Sequence, residues 1–366
     1  MKPLRVLHFV PSFVGGGAER QLSYLASSLG ELGHEVHIGF LHDGPNLQRL
    51  QGTAVQLHRL CAAGNHDPRL LLRTHDLIRR VRPDVVQTWL LQMDVFAGAA
   101  ARIAGIPWIL SERCSAEMYA SGWKNRLRRL LGRGSDAIVA NSAVGLEYWR
   151  DVPNRNHHRV VRNIVPVDVI AATTGLPEDV GDLLQAPELI VAAGRLHEQK
   201  NWHVYFSALR SVLNARPQAR AVVFGEGPLE AQLRQLASSY ECADRIHLRG
   251  YVGDLWRWLK HASVYVSASR YEGTPNVVLE AVACKSPLVL SDIQSHREIL
   301  SAEQAEFVAL ESAADIAAGI VRVLDDRARF AARAERAFEA VANWSGVTIA
   351  REYVELYREL SVMKPD

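Results

Sequence analysis

The chain has 366 residues, of which 48% are hydrophobic and 22% are charged, so it is long enough for two globular domains. Residues 1–168 hold 21 basic and 14 acidic side chains, a net charge of +7, whereas residues 169–366 hold 21 and 26, a net charge of −5. The basic half favours a polyanionic partner such as an anionic lipid, and no binding motif indicates nucleic acid.

The cysteines and the apolar runs exclude several other classes of protein. Four scattered cysteines form no Cys-x-x-Cys pair and lie at no metal-ligand spacing to histidine, which favours a reducing cytoplasm and argues against structural zinc. They are Cys61, Cys114, Cys242 and Cys284. No run of about 18 uncharged apolar residues is present, so we expect no membrane-spanning helix. His8 and Pro11 break the apolar start, which favours a first strand over a signal peptide.

The first predicted strand, residues 6–10, leads through a glycine-rich turn into an amphipathic helix. Glycines let a backbone approach a phosphate closely, and the start of a helix carries partial positive charge. Gly16 and Gly17 are therefore candidate phosphate contacts, and the alternative is a plain tight turn. Arg20 stands where the dinucleotide-binding fingerprint requires a third glycine, which argues against a nicotinamide dehydrogenase.

Strands and helices then alternate, which is typical of a doubly wound parallel sheet. We predict strands over 36–41, 84–88, 107–110 and 136–142, and helices over 70–81, 97–104 and 123–131. The last of these helices has Trp123, Leu127, Leu130 and Leu131 on one predicted face and Lys124, Arg128 and Arg129 on the polar side. Such a helix either lies on an anionic membrane surface or packs its apolar face against the core.

The pattern restarts after a weakly periodic stretch, residues 171–187, that reads as a linker. We predict strands over 189–193, 221–224, 264–266 and 287–292, and helices over 313–342 and 345–361.

The most informative stretch of this half follows the strand at 264–266, where a loop with Glu272 leads into a helix that we expect to begin at Pro275. Open parallel sheets bind ligands outside the carboxyl ends of their strands, and the first amides of a helix suit a phosphate. Glu272 and Glu280 add two carboxylates, each able to accept hydrogen bonds from two hydroxyls. The stretch predicts a site for a diphosphate between hydroxyl-rich groups; the alternative is a surface loop with one solvated and one capping glutamate.

The spacing of Glu272 and Glu280 resembles the Glu-x7-Glu motif of the retaining glycosyltransferases of family 4, which have the GT-B fold. The Gly-Gly-x-Glu-Arg segment from Gly16 and the Gly-Arg-x-x-x-x-Lys segment with Arg195 and Lys200 resemble two further motifs of that family.

The resemblance implies an α/β protein with two Rossmann-like, doubly wound parallel-sheet domains that face a central cleft. It implies an acceptor-side domain over 1–168, a nucleotide-sugar-binding domain over 169–343, and a last helix over 344–366 that crosses back to the first domain.

The resemblance also implies a metal-independent hexosyltransferase reaction in which a sugar, most simply from a UDP-sugar, moves with retention to a glycan or lipid-linked glycan of a surface polysaccharide or lipopolysaccharide. Glu272 would hold the donor sugar and Glu280 the ribose. Arg195 and Lys200 would neutralise the diphosphate, so neither a metal nor another cofactor is expected. Further donor contacts are expected at Gly16, Gly17, Tyr251, Val252, Gly273, Thr274, Pro275, Asn276 and Val277.

The acceptor side departs from the family pattern. Arg113 lies at or near the place of a common histidine, Trp89 and Gln92 occupy the region of a second, and Lys285 stands where glycine is usual. Arg113 could still bind a phosphate or a sugar hydroxyl of the acceptor. The alternatives are a non-catalytic sugar-nucleotide-binding subunit and another GT-B enzyme, such as a sugar-nucleotide epimerase or a phosphorylase. We expect a cytoplasmic protein with peripheral contact to the inner leaflet through its basic half.

Overall fold

The chain forms two compact units, each built on one parallel sheet. The computed structural model describes residues 2–61, 67–119, 122–152, 157–176, 183, 186–253 and 255–362. The first unit comprises Met1–Ile164 together with Trp344–Asp366, and the second comprises Val165–Asn343.

Among the residues that the structure describes, the first unit has seven strands, most of them buried and rich in β-branched residues, as expected for a parallel sheet covered by helices. They are β1 (Arg5–Ser12), β2 (Glu35–His42), β3 (Gln56–Arg59), β4 (Val85–Trp89), β5 (Trp108–Glu112), β6 (Ala137–Ala140) and β7 (His157–Val160). Their order in the sheet is β3-β2-β1-β4-β5-β6-β7, and every neighbouring pair is parallel.

In its described part, the second unit has six strands with the same kind of connection. They are β8 (Glu188–Ala193), β9 (Ala219–Phe224), β10 (Ile246–Leu248), β11 (Val264–Ser267), β12 (Leu288–Ser291) and β13 (Glu306–Val308). Their order is β10-β9-β8-β11-β12-β13, again with parallel pairs.

Fourteen α-helices cover the two sheets within the described residues. They are α1 (Gly17–Glu31), α2 (Arg69–Val81), α3 (Leu90–Ile103), α4 (Trp123–Gly132), α5 (Ala143–Glu147), α6 (Val167–Ala172), α7 (Trp202–Ala215), α8 (Glu230–Ser238), α9 (Leu255–His261), α10 (Asn276–Ala283), α11 (Gln294–Arg297), α12 (Ala313–Asp325), α13 (Arg327–Val341) and α14 (Gly346–Val362). In the part of the chain that the structure describes, no helix has the length and apolar character needed to cross a membrane.

The cores follow from the apolar stripes of these helices. In the first unit, one cluster joins α1 and α14 to the sheet, and a second joins α2 and α3 to it. In the second unit, α7 and α12 contribute most of the helical residues of the main cluster. The predicted pair of doubly wound α/β domains is therefore confirmed.

The strand order reverses between β1 and β4 in the first sheet and between β8 and β11 in the second. Open α/β sheets bind ligands outside the carboxyl ends of the strands at such points. The glycine turn follows β1, and the segments with Lys200 and with Glu272 follow β8 and β11. The predicted motifs thus lie at the edges where a site is expected.

Helix α4 contradicts the predicted assignment of its faces. Arg128, expected on the polar side, is only 1% exposed, whereas Trp123 is 71% and Leu130 is 61% exposed. The reason is that Arg128 forms ion pairs with two buried carboxylates, Asp94 on α3 and Glu112 on β5. The face of α4 that carries Arg128 is therefore buried, and the face that carries Trp123 is exposed.

Candidate functional site

Two loops at the carboxyl edge of the second sheet carry the main candidate residues. One follows β8 and holds Arg195 and Lys200, and the other follows β11 and holds Glu272. The two strands are hydrogen-bonded neighbours, with Val264 opposite Ile190, although they are far apart in the sequence. The sheet therefore brings the predicted diphosphate cations and the predicted sugar carboxylate to one edge.

Lys200 and Glu272 form an ion pair between these loops, in which the Lys200 ammonium contacts Glu272 Oε1. The same carboxylate accepts hydrogen bonds from Ser269 Oγ at 2.8 Å and from Gln199 Nε2 at 3.3 Å. Gln199 Nε2 also donates to Tyr271 O at 2.8 Å, which ties the two loops together. Ser269 and Gln199 belong to the segments that the sequence singled out, but their contacts with Glu272 could not be read from it.

Arg195 differs from Lys200 because its side chain is exposed. Its guanidinium makes no hydrogen bond or ion pair among the described residues, while its carbonyl accepts a hydrogen bond from Trp202 Nε1 at 2.9 Å. The loop is thus anchored through its backbone and leaves one cation available to an anionic ligand. Across the described part of the chain, no group of three or more His, Cys, Asp or Glu side chains is placed to hold a metal ion.

Glu280 lies on α10 and is buried at the same edge of the sheet. Burial, followed by the carboxylates of Glu272 and Glu280, raises the pKa of Tyr265 on β11 well above its usual range. The Tyr265 hydroxyl donates to Ala193 O, the last residue of β8, at 3.3 Å, so both carboxylates act on a group at the carboxyl edge of the sheet. A carboxylate pair with one nearby cation can bind hydroxyl-rich and anionic parts of a single ligand.

The start of α10 differs from the prediction by one residue. Pro275 is the N-cap, with Asn276 as the first helical residue, because the Pro275 ψ angle of 87° is not helical. The loop residues Gly273 and Thr274 precede it, and Val277 lies in the first turn, where amides lack carbonyl partners within the helix. Such amides suit an anion, and the donor contacts expected here stay a prediction.

The segment with the predicted donor contacts Tyr251 and Val252 follows β10. Gly225 N donates to Gly250 O at 2.7 Å, and a Cβ at Gly225 would overlap Gly194 O, so only glycine permits this packing. The loops after β8, β9 and β10 therefore pack against one another, with Tyr251 exposed and Val252 half-buried at their edge.

His296 is a residue near the site that the sequence did not indicate. It is fully buried on α11, and its pKa is lowered to about 4 chiefly by burial, with Glu272 and Lys200 among the neighbouring charges that act on it. A lone histidine between serine and arginine carries no recognisable motif, so only the fold reveals its position.

In the first unit, Gly16 is the N-cap of α1 and Gly17 is its first residue. A side chain at Gly16 would overlap the buried carboxylate of Glu19, whose pKa is raised by burial. The Glu19 carboxylate therefore occupies the space beside Gly16, and phosphate binding by Gly16 and Gly17 stays a prediction.

Arg113 starts the loop after β5, and its guanidinium makes three contacts within the first unit. It donates to Asn163 Oδ1 at 3.3 Å and to Tyr353 OH at 2.5 Å, and it stacks on the Trp89 ring at 4.2 Å from the ring centroid. Two of its nitrogens are thus used internally, and the acceptor role expected of Arg113 stays a prediction.

A buried ionic network fixes the start of this loop. Arg128 pairs with Asp94 Oδ2 at 2.7 Å and with Glu112 Oε2 at 2.8 Å. Glu112 Oε1 accepts hydrogen bonds from the amides of Arg113 and Cys114, both at 2.9 Å. Because the partners of Arg128 lie on α3 and β5, the helical pattern of α4 alone could not reveal the network.

Comparison with known proteins gives two matching family models, one for each unit. Residues 16–164 match the glycosyl transferase 4-like domain, and residues 187–326 match the glycosyl transferases group 1.

Individual relatives agree with these models. The chain is 24% identical over 351 residues to the lipopolysaccharide core biosynthesis glycosyltransferase LpsE of Rhizobium meliloti, covering 93% of this chain and 95% of that protein. It is 24% identical to the Escherichia coli UDP-Gal:alpha-D-GlcNAc-diphosphoundecaprenol alpha-1,3-galactosyltransferase, covering 71% of each chain. A shorter match, 26% identical over 41% of this chain, covers 37% of the uncharacterized glycosyltransferase MJ1059 of Methanocaldococcus jannaschii.

Among solved structures, the chain resembles Anabaena Alr3699/HepE in complex with UDP-glucose. The TM-score is 0.84 at 20% identity, and the match covers 97% of this chain and 100% of that one. This likeness establishes the fold, and it confirms the predicted GT-B class.

Proposed function

The chain belongs to the group 1 glycosyl transferases with a family 4-like first domain, and from this membership we propose that it moves a sugar from a UDP-sugar to a glycan or lipid-linked glycan. The relatives support the substrate classes, because one is named for lipopolysaccharide core synthesis and another for a UDP-Gal donor and a diphosphoundecaprenol-linked acceptor. The Anabaena protein was solved with UDP-glucose.

The observation that carries this proposal is the Lys200–Glu272 ion pair at the carboxyl edge of β8 and β11, with Glu280 buried on the helix that follows the same loop. Lys200 and the exposed Arg195 would neutralise the diphosphate, which gains negative charge as the glycosidic bond breaks. Two fixed cations can do this without a metal, so we propose a metal-independent reaction. Glu272 would accept hydrogen bonds from the donor sugar, and Glu280 from the ribose.

We further propose that the reaction retains the anomeric configuration. The bond between the anomeric carbon and the phosphate oxygen breaks, the acceptor oxygen attacks from the same face, and the acceptor proton passes to the departing diphosphate. The name of the E. coli relative pairs a UDP-Gal donor, whose galactose is α-linked, with an alpha-1,3 product, which supports retention. NMR coupling constants of the product test this proposal, and undiminished activity in EDTA tests metal independence.

The donor site is tested by thermal unfolding with UDP, GDP, ADP and NAD in turn. A ligand at about 100 times its dissociation constant stabilises the folded state by about 2.7 kcal/mol. We expect UDP to raise the unfolding temperature of the wild type, we expect Glu280→Ala to lose most of that shift, and we expect Lys200→Ala to lose part of it.

The matched control removes a similar pair of charges elsewhere in the second unit. Arg234 and Glu230 form an exposed pair on α8, so Arg234→Ala and Glu230→Ala should keep the UDP shift. The proposal fails if no nucleoside diphosphate shifts the wild type, or if the control variants lose the shift equally.

We also propose that the first unit binds the acceptor and touches an anionic membrane through α4. The exposed face of α4 combines Trp123 and Leu130 with Lys124, Arg126 and Arg133, all exposed. An exposed indole beside several cations suits a surface of anionic headgroups. The net charge of +7 over residues 1–168 supports the same partner.

Co-sedimentation with vesicles tests this surface. We expect binding to vesicles that contain phosphatidylglycerol, little binding to pure phosphatidylcholine, and weaker binding at high salt. Trp123→Ser combined with Leu130→Ser should reduce the bound fraction severalfold. Leu72→Ser combined with Ile103→Ser removes two equally exposed apolar groups elsewhere on the unit and should not. Equal losses in both double variants would contradict a specific role for α4.

A further inference from the structure

The Lys200–Glu272 ion pair is formed in the structure, is largely shielded from water, and is held by further hydrogen bonds to Glu272. The side chains of Lys200 and Glu272 are only 20% and 9% exposed, so water screens the pair little. Ser269 and Gln199 donate hydrogen bonds to the same carboxylate, and these hydrogen bonds help to hold it in place. The stem of Lys200 runs past Gly194, where a Cβ would lie 3.1 Å from the lysine Cε.

This geometry sets two anions in competition for one ammonium. The proposed function requires Lys200 to neutralise the donor diphosphate, yet the ammonium is already neutralised by Glu272. A diphosphate can therefore bind at full strength only when Glu272 gives up part of its hold on Lys200. Donor sugar hydroxyls would provide the reason, because they offer the carboxylate other hydrogen-bond donors.

We propose that Glu272 determines which nucleotide the site retains: it releases Lys200 to the diphosphate of an intact donor and recaptures it once the sugar has left. This role rests on the proposed function and deepens it. The sugar of the intact donor occupies Glu272, so Lys200 can turn to the diphosphate. After transfer, Glu272 loses those hydroxyls, recovers the ammonium, and weakens the hold on the spent nucleoside diphosphate. Glu272 thus favours donor over product and speeds product release.

The first test is the affinity for UDP, measured by calorimetric titration of the wild type and of Glu272→Gln. Glutamine keeps the shape and an oxygen acceptor for Ser269, but it has no charge to hold the ammonium. We expect Glu272→Gln to bind UDP about fivefold more tightly or better, the low end of typical coupling between two sites. Unchanged or weaker UDP binding in this variant would overturn the proposal.

A neighbouring carboxylate provides the matched control for charge. Glu311 pairs with Arg270 at 2.9 Å, and the Arg270 amide donates to Gln199 O at 2.8 Å, so this glutamate is linked to the same loop without touching Lys200. Glu311→Gln should leave the UDP affinity unchanged. An equal gain in Glu311→Gln would show a general effect of negative charge and would overturn the proposal.

The second test asks whether the gain passes through Lys200. In a Lys200→Ala background, Glu272→Gln should bind UDP no more tightly than Lys200→Ala alone, because no ammonium is left to release. If the fivefold gain persists there, Glu272 acts by direct repulsion of the diphosphate, and the proposal is wrong.

The titrations also separate this inference from the proposed function. If the wild type binds neither UDP nor another nucleoside diphosphate, both fail together. If the wild type binds UDP and transfers sugar but Glu272→Gln shows no gain in UDP affinity, only the competition for Lys200 fails.

Discussion

His296 is a buried imidazole whose charge state is set by its surroundings. Its Nδ1 lies 2.8 Å from Ser291 O, and its buried Nε2 has no hydrogen-bond partner among the described residues. A proton on Nδ1 satisfies the first contact, so a second proton would place an uncompensated charge on Nε2 in the interior. Burial accordingly lowers the pKa of His296 to about 4 from its usual 6.5.

This shift predicts a loss of stability on acidification. His296 takes up a proton on unfolding, so the stability it contributes is fully present above about pH 6.5 and is lost as the pH falls towards 4. The contribution is up to about 3 kcal/mol. We expect His296→Gln to be less sensitive to acid over this range in urea unfolding of the full chain. His203→Gln, which changes an exposed histidine on α7, should follow the wild-type profile. Parallel curves for wild type and His296→Gln would contradict this account.

At the residue scale, the sequence could indicate positions that belong to a motif, but it could not indicate side chains whose partners lie on distant elements. Lys200 and Glu272 were identified by spacing within their own segments, and the structure brings them together. Arg128 was misassigned because its face of α4 was inferred from the positions of leucines. Burying an arginine is tolerable only with paired carboxylates, and here these come from other elements.

At the level of elements, the packing of α3 on β5 depends on one glycine. A Cβ at Gly98 would overlap the indole of Trp108, which is fully buried. The Trp108 indole N–H donates to Thr88 Oγ1 at 2.9 Å, so the ring cannot move aside without losing a hydrogen bond. Helix α3 can therefore approach β5 this closely only because residue 98 is a glycine.

We expect Gly98→Ala to destabilise the first unit by about 1–3 kcal/mol, the usual cost of overpacking a core. Gly30→Ala on α1 is the control, since a Cβ there meets nothing within 4 Å and alanine favours a helix by up to about 1 kcal/mol. Denaturant unfolding of both variants measures the difference. A neutral Gly98→Ala would mean that the helix adjusts freely.

The central strands were predictable from their apolar runs, but the four strands at the edges of the two sheets were not. β3, β7, β10 and β13 are three or four residues long, and most carry histidine, arginine or glutamate. Short strands with polar side chains lack the apolar run that marks a buried strand. The start of α3 was also missed, because Leu90 takes a positive φ of 69° immediately after β4, which no local rule foresees for leucine.

For the whole molecule, the connectivity of the two units is unequal. The second unit is one continuous segment, whereas the first needs both Met1–Ile164 and Trp344–Asp366. Helix α14 buries apolar side chains in the core next to α1, among them Tyr353, Tyr357 and Leu360. Tyr357 OH also donates to the buried Gln87 Oε1 on β4.

This connectivity predicts different behaviour of the fragments. Residues 165–343 alone should unfold cooperatively, and residues 1–164 alone should not. Each large apolar side chain buried by α14 is worth about 1.5–3 kcal/mol, and together they rival the about 5–15 kcal/mol that stabilises a domain. Thermal unfolding followed by circular dichroism tests both fragments.

Residues 1–164 joined to 344–366 through a short glycine-serine linker should again unfold cooperatively. A short linker is enough because the two ends lie close together: the guanidinium of Arg162 is 5.6 Å from the centroid of the Trp344 ring. Cooperative unfolding of residues 1–164 without α14 would refute this view of the first unit.

The split first unit also sets an order of events during translation. The residues whose apolar surface α14 covers are synthesised before Val165–Asn343, and at roughly 5–20 residues per second that segment takes roughly 10–35 seconds. The second unit has all of its residues before the first unit does. During synthesis, the second unit can therefore fold before the first. The first unit exposes apolar surface, to which chaperones can bind, until α14 has been made.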